Sequence, residues 1–230
     1  MVVPVYNELD SLEPLVTRVR DALEPLGRRW ELLAVDDGSQ DGSGEALDRL
    51  AASEPRLRVL HFTANNGQSA ALDAGFRHAR GELVGLLDAD LQTFPEDLPL
   101  LLEVMEREGV DAVVGIRTER HDSAWKRFSS RFANAVRNRL TREHVTDTGC
   151  PLKVVRTEAL ARVPRFNGMH RFLPTLLAMQ GRSVRQVPVR HAPRLAGTSN
   201  YGTWDRALRG LRDALGVRWL QDRQLRWKLR

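Results

Sequence analysis

The chain has 230 residues, 42% hydrophobic and 28% charged, enough to bury a sizeable core as one domain and ordinary for a soluble globular protein. Its one cysteine, Cys150, excludes an intrachain disulfide and a cysteine-based zinc site, suits a reducing compartment, and reads most simply as a small buried apolar residue. No run of 18 or more apolar residues encodes a spanning helix, and no signal peptide precedes a first strand that begins almost at Met1.

The first half alternates strand and helix patterns. Val2–Tyr6 is predicted as a strand, Ser11–Leu26 as an amphipathic helix, Trp30–Val35 as a strand and Gly44–Ala52 as a helix. Leu57–Phe62 follows as a strand, Ser69–Ala79 as a helix and Leu83–Leu87 as an apolar strand. Pro95–Glu108 opens on Pro and acidic residues, as helices do, and Asp111–Ile116 is a fifth strand. This alternation implies right-handed βαβ units, an α/β class and a mainly parallel sheet flanked by helices. The second half is less regular. It carries a basic amphipathic helix at Trp125–Leu140, a turn at Thr146–Gly149, a short strand at Leu152–Val155 and a helix at Arg171–Gln180. Val184–Val189, interrupted by Pro188, reads as an edge strand, because proline cannot donate to a ladder on both sides. Arg194–Tyr201 is a loop, and a helical tail follows.

That tail carries the charge asymmetry. Residues 201–230 hold eight Lys and Arg against three Asp, the whole of the chain's net +5, so residues 1–200 are neutral. Three of the five tryptophans, Trp204, Trp219 and Trp227, lie there too. Trp204, Leu208, Leu211 and Leu215 share one helical face, with Arg206, Arg209, Arg212 and Asp213 mainly away from it. Such an arrangement resembles an interfacial membrane element; packing of the stripe onto the body is the alternative.

Four strand ends carry the chemistry. Gly81–Gln92 is an apolar strand that ends in Asp88-Ala89-Asp90-Leu91-Gln92. Strand C-termini of an open α/β sheet face the crevice where ligands bind, and an oxygen-only set suits Mg2+ or Mn2+. Tyr6 and Glu8 close the first strand, and Asp36-Asp37-Gly38-Ser39 closes the second. Asn65-Asn66-Gly67-Gln68 opens a helix whose N-terminal N–H groups suit phosphate. Each has a plainer reading, with Asn7 and Ser39 as caps and Asp37-Gly38 as a turn. Four such sites at successive strand ends outweigh those readings.

Taken together, Pro4-Val5-Tyr6-Asn7-Glu8, Val35-Asp36-Asp37-Gly38-Ser39, Gly67 and Asp88-Ala89-Asp90-Leu91-Gln92 resemble family 2 glycosyltransferases, and among them the dolichyl- or polyprenyl-phosphate sugar transferases. Arg194-Leu195-Ala196-Gly197-Thr198-Ser199 is similar to that group's Arg-x-x-Gly-x-Ser loop. The resemblance implies a GT-A fold, a nucleotide-diphosphate sugar donor, a divalent metal and a polyprenyl phosphate acceptor. It implies that Pro4, Tyr6, Glu8, Val35, Asp37 and Gly67 cradle the nucleotide. Asp88, Ala89 and Asp90 would meet the diphosphate and metal, with Gln92 as a further ligand. Arg117, Arg131 and Arg194, with Ser199, would hold donor and acceptor phosphates. Asn200 departs from the group, where Lys is frequent.

An ionised phosphate acceptor needs no general base, whereas a sugar hydroxyl does. Asp147 is the carboxylate available for that second case, a hydroxyl-directed family 2 enzyme, and a turn-capping role for it is the simpler reading. A single domain over 1–230 is expected, with a nucleotide half at 1–116, an acceptor half at 117–202 and a basic amphipathic tail at 203–230. The expected location is cytoplasmic, peripheral at the inner face of an anionic membrane, with an integral membrane protein as a candidate partner. The neutral body and the lack of a recognition motif count against nucleic acid.

Overall fold

Seven strands form one sheet in the order β3-β2-β1-β4-β6-β5-β7 in the computed structural model. It describes residues 1–117, 137–141, 145–147, 149–192 and 203–224, with side chains from 210 onward in the last stretch. The strands are β1 (Val2–Val5), β2 (Leu32–Asp36), β3 (Leu57–His61), β4 (Leu83–Leu86), β5 (Ala112–Arg117), β6 (Lys153–Arg156) and β7 (Val184–Val189). β1, β2, β3 and β4 run parallel, as do β5 and β7, while β6 is antiparallel to both β4 and β5.

The sheet is buried on both faces, which is why β2 reads as an unbroken apolar run up to Asp36. Side chains alternate between two cores. Val3, Val5, Leu32 and Ala34 face α1 (Leu12–Leu23), α2 (Ser43–Ser53) and α4 (Leu98–Glu108). Val2, Leu33 and Val35 face α3 (Gln68–His78), and the same core takes in α5 (Thr157–Leu160), α6 (Leu173–Met179) and part of α7 (Thr203–Arg223). The chain leaves β1 in one direction for β2 and β3, then returns to place β4 on β1's other side. The gap between the C-terminal ends of β1 and β4 is therefore the switch point where doubly wound sheets bind ligands.

Three predicted helices end or begin differently because proline intervenes. Pro25 splits a short 3-10 turn, Glu24–Leu26, from α1, and Pro95 opens another, Pro95–Asp97, ahead of α4. Met169–Phe172 likewise precedes α6, which has Pro174 in its first turn. A proline has no N–H for the α-helical ladder, so it belongs at such beginnings. β7 is the sheet edge, as its Pro188 implied, and among the described residues it pairs only with β5. Of the predicted helix at Trp125–Leu140, residues 137–140 are helical and the remainder lies outside the described residues.

In the tail helix the described part of the predicted apolar stripe faces outward and does not pack onto the body. Ala214 and Val217 are the buried residues, whereas Leu211 and Leu215 are 45% and 52% exposed and Trp219 is 61% exposed. Small side chains let α7 approach the body. At Gly168 the left-handed φ of 98° favours glycine, and a Cβ would stand 2.7 Å from the end of the Asp213 side chain. The side chains of Trp204 and Leu208 are outside the described residues.

Candidate active site

The ends of β1 and β2 are laced by short polar side chains. Asn7, in the left-handed region with φ 54°, donates its N–H to Ser39 Oγ at 3.0 Å and accepts from Gln40 N–H at 2.8 Å. Glu8 N–H donates to Ser43 Oγ at 3.1 Å, and Leu9 N–H to Asp41 Oδ2 at 3.1 Å. Asn7 and Ser39 thus do fasten the turns. Tyr6 stays exposed and Glu8 half-buried on the crevice side of this lacing.

Asp37 is buried, and its carboxylate organises the next loop. It accepts from Asn66 N–H at 2.7 Å, Gly67 N–H at 2.8 Å and Asn65 Nδ2 at 3.1 Å. Gly38 makes this possible: with φ 70°, a Cβ there would lie 2.6 Å from the Ala64 backbone. Pro4 and Val35 are paired across the β1–β2 ladder, and the Val35 side chain is fully buried in the core. Any role of Val35 toward a ligand therefore runs through its backbone. On the outer side of the Asp37 loop lies a cavity of about 440 Å3 lined by Asp36, His61, Thr63 and Asn65 among others. There His61 Nδ1 meets Asp36 Oδ2 at 3.0 Å and Nε2 meets Asp48 Oδ1 at 3.1 Å. Two carboxylate acceptors require both ring nitrogens to donate, so the imidazolium is favoured. The bond to Asp36 outweighs desolvation and raises the His61 pKa.

The end of β4 has the opposite character. Asp88 accepts from Gln68 Nε2 at 2.8 Å, and Asp90 Oδ1 accepts from Gln92 N–H at 3.2 Å, with Leu91 between them at φ 55°. Part of the Asp88 surface faces the crevice, yet it sits deep enough that desolvation, then the charge of Asp90, pushes its carboxyl up to about 6. Two crowded carboxylates with a neighbouring amide oxygen fit a hard divalent cation, which would relieve their repulsion. Among the described residues no group of three or more His, Cys, Asp and Glu is placed to hold a metal. The candidates from the sequence, Asp88, Asp90 and Gln92, thus comprise two carboxylates and one amide, of which Gln92 is tied to Asp90 through its N–H. Ala89 is buried in the core between the carboxylates.

Arg117, at the end of β5, is tied to Asp147. Its Nε donates to Oδ2 at 2.7 Å and its Nη2 to Oδ1 at 2.9 Å, a bidentate fork, and its own N–H reaches Oδ2 at 3.2 Å. Gly149 N–H adds a bond to Oδ1 at 3.1 Å. Asp147 is thus a turn cap and the orienter of Arg117. Burial opposes the Arg117 charge, but the Asp147 hydrogen bonds prevail and hold its pKa above the ordinary value. Arg131, Arg194 and Ser199 lie outside the described residues. The chain enters the segment of Arg194 beside the metal-ligand candidates: Ala192 N–H donates to Gln92 O at 2.8 Å, and Thr93 bridges His191.

Sequence reasoning named Gln68 only as part of its turn and missed Lys153 and His170. Lys153 is 5% exposed, pairs with Leu86 across the β4–β6 ladder, and donates Nζ to the Cys150 carbonyl. Among the described residues it has no ion pair; desolvation depresses its pKa, while the Cys150, Asp88 and Asp147 charges support its protonation. His170 shares Ser69 with the backbone: Gly168 N–H donates to Ser69 Oγ at 2.8 Å, and Ser69 Oγ lies 2.8 Å from His170 Nδ1. Burial, then Arg171 and Lys153, lower the His170 pKa to about 3, so its ring is neutral. The Ser69 hydroxyl then donates to Nδ1 and the ring proton sits on Nε2. One signal was available: a charged residue, Lys153, interrupting the apolar run Pro151–Val155.

A switch-point crevice, carboxylates ending β4 and a late antiparallel strand define the GT-A class of α/β fold. The chain belongs to glycosyl transferase family 2, whose model matches residues 1–163. It is 41% identical over 204 residues to the undecaprenyl-phosphate 4-deoxy-4-formamido-L-arabinose transferase of Edwardsiella ictaluri, covering 88% of this chain and 62% of that protein. The enzyme of the same name from Salmonella paratyphi B is 38% identical over 203 residues, with 87% and 62% covered. The chain thus spans under two thirds of the length of these curated relatives. Among solved structures, mannosyl-3-phosphoglycerate synthase from Rubrobacter xylanophilus superposes with a TM-score of 0.71 at 20% identity, covering 98% of this chain and 76% of that one. A mannosyltransferase from Pyrobaculum calidifontis, solved with GDP-Man and Mn2+, gives 0.64 at 22% identity, covering 96% and 68%. At these identities the likeness is one of fold, and the expected GT-A architecture is borne out.

Proposed function

We propose that this chain transfers a sugar, with inversion, from a nucleotide-diphosphate sugar to a polyprenyl phosphate. The observation that carries the reading is the Arg117–Asp147 fork. Asp147, the carboxylate best suited to act as a base, is buried and spent on four hydrogen bonds, and a carboxylate so paired is a poor proton acceptor. An acceptor that arrives as an anion needs positioning instead, which suits an oriented guanidinium. The names of the curated relatives, which specify an undecaprenyl phosphate acceptor, support the same choice.

In this mechanism Tyr6, Glu8, Asp37 and Gly67 shape the nucleotide side, Asp37 by holding the 65–67 loop. Asp88, Asp90 and Gln92 would hold a divalent cation, which would supply Lewis-acid neutralisation of the departing diphosphate. Arg117 holds phosphate at the far side of the crevice, and Arg131, Arg194 and Ser199 are assigned to the same task by their sequence positions. Attack by an ionised phosphate oxygen on the anomeric carbon displaces the nucleoside diphosphate in one step. The test is transfer of labelled sugar from a panel of UDP- and GDP-sugars to undecaprenyl phosphate, with and without excess chelator. Product with a free sugar hydroxyl as acceptor, and none with the lipid phosphate, would replace this reading.

A location at the membrane surface is supported by α7. No helix among the described residues is long and apolar enough to cross a membrane. Leu211, Leu215 and Trp219 form an exposed stripe on a tail that holds all the net charge. This stripe lies on the inner membrane face, where each Arg or Lys adds roughly 1 kcal/mol near anionic lipid. Replacing all three by Ser, with Ala214 and Val217 intact, should release the protein from anionic vesicles; unchanged sedimentation would remove the tail from this role. An integral membrane partner remains part of the proposal, tested by co-purification in detergent.

A further inference from the structure

A cavity of about 250 Å3 lies behind Asp88, walled by α3, the end of β4, the start of β6 and the Met169–Phe172 turn. We propose that it receives the sugar ring of the donor, and that Lys153 and Gln68 determine which ring is accepted. This rests on the reading above and deepens it.

The cavity is smaller than the roughly 300–1,000 Å3 of pockets for drug-sized ligands, so it suits a single ring and excludes a whole nucleotide. Its lining is amphipathic, as a sugar is. Leu72, Leu86, Leu87 and Leu173 supply apolar wall, and five polar side chains line it, Arg171 on the exposed side and Gln68, Asp88, Lys153 and His170. Asp88 is an acceptor. His170, neutral and held by Ser69 at Nδ1, has its proton on Nε2 and offers a donor. Gln68 gives its NH2 to Asp88 at 2.8 Å, which fixes the amide and leaves its carbonyl as an acceptor.

Lys153 is the telling residue. A buried ammonium costs several kcal/mol unless its donors are satisfied, and Lys153 gives a hydrogen bond only to the Cys150 carbonyl among the described residues, with no ion pair. Its remaining donors require oxygen acceptors, and a ring hydroxyl or carbonyl brought beside Asp88 supplies them. The reason it stands here is topological. β6 runs antiparallel, so its first residue pairs with Leu86 at the C-terminal end of β4. A site that hydrogen-bonds a substrate oxygen rejects analogues lacking it far better than a methylene-sized pocket does.

The experiment is calorimetric titration of the full chain with Mn2+ and, separately, UDP, UDP-glucose, GDP and GDP-mannose. The readout is the ratio of nucleoside-diphosphate Kd to nucleotide-sugar Kd for whichever base binds. In Lys153→Met and Gln68→Ala that ratio should fall by about tenfold, the value of a charge-assisted or well-placed hydrogen bond, while nucleoside-diphosphate affinity is retained. Lys153→Arg serves if Lys153→Met fails to fold by circular dichroism. An unchanged ratio in the folded variants overturns the proposal. Equal weakening of the diphosphate and its sugar also overturns it, because the cavity would then hold phosphate. If wild type binds no nucleotide at all, the donor reading fails first and this inference with it.

Discussion

Asp37 and Asp88 stand at the C-terminal ends of β2 and β4, the two strands that flank β1, and their surroundings differ in kind. Asp37 is enclosed by three donors from the loop it organises. Asp88 has one amide donor, a neighbouring carboxylate and a buried lysine that gives it no hydrogen bond. The first edge is complete as built, and its geometry belongs to the fold. The second is crowded, with burial and the Asp90 charge both opposing ionisation of Asp88. Carboxylates of equal sequence prominence therefore have different surroundings: one preorganises a loop, the other is held against its own charge.

The largest expected difference between the two edges is in activity. Asp90→Ala should lower transfer at least ~100-fold while the melting temperature stays near wild type, since a metal ligand contributes to chemistry and little to packing. Retained transfer in that variant would merge the two edges into one structural class. Asp37→Ala should do the reverse, costing about 2–4 kcal/mol in urea unfolding by stranding three donors. A stability loss below 1 kcal/mol would show that the 65–67 loop holds itself.

Asp88→Asn sharpens the contrast through pH. With its carboxyl at about 6, the metal-free native state binds more protons than the unfolded chain between roughly pH 4 and 6. Its contribution to stability therefore falls as pH rises through that window, on the order of 1–3 kcal/mol. The Asn variant should be the more stable at neutral pH, and a denaturation series across pH 4–7 with and without Mn2+ checks it. Asp147→Asn, by contrast, should slow transfer several-fold by loosening Arg117 and leave the shape of the pH–rate profile unchanged. Loss of an acidic limb in that profile would restore Asp147 as a base.

The smallest effect belongs to the outer cavity. His61 has a raised pKa, so its stabilisation is full below the unfolded value near 6.5 and is lost as pH rises through the folded one. Desolvation opposes ionisation of Asp36, but Ser39 and His61 together lower its pKa, so its stabilisation is lost only at acid pH, as pH falls below the ordinary carboxylate value. The pair is doubly charged between those limits. His61 is 40% exposed, so screening leaves only a few tenths of a kcal/mol, visible as a flatter pH dependence in His61→Gln.

Much of the edge formed by β1, β2 and β4 could be read in the chain itself. The βαβ alternation, the apolar run ending at Asp88 and the edge strand marked by Pro188 are local patterns, because period, charge and proline act within a few residues of where they stand. The tertiary structure alone decided what depends on direction and approach. That β6 runs antiparallel, bringing Lys153 beside Leu86, is written in no local pattern, since a four-residue strand looks the same in either orientation. The Arg117–Asp147 fork joins residues 30 positions apart, and Ser69 meets His170 across 101. The sequence left the buried face of α7 open between bilayer and body for the same reason. Leu211 and Leu215 are the more apolar residues, yet Ala214 and Val217 are small enough for the helix to approach Gly168, and close packing selects the face that fits.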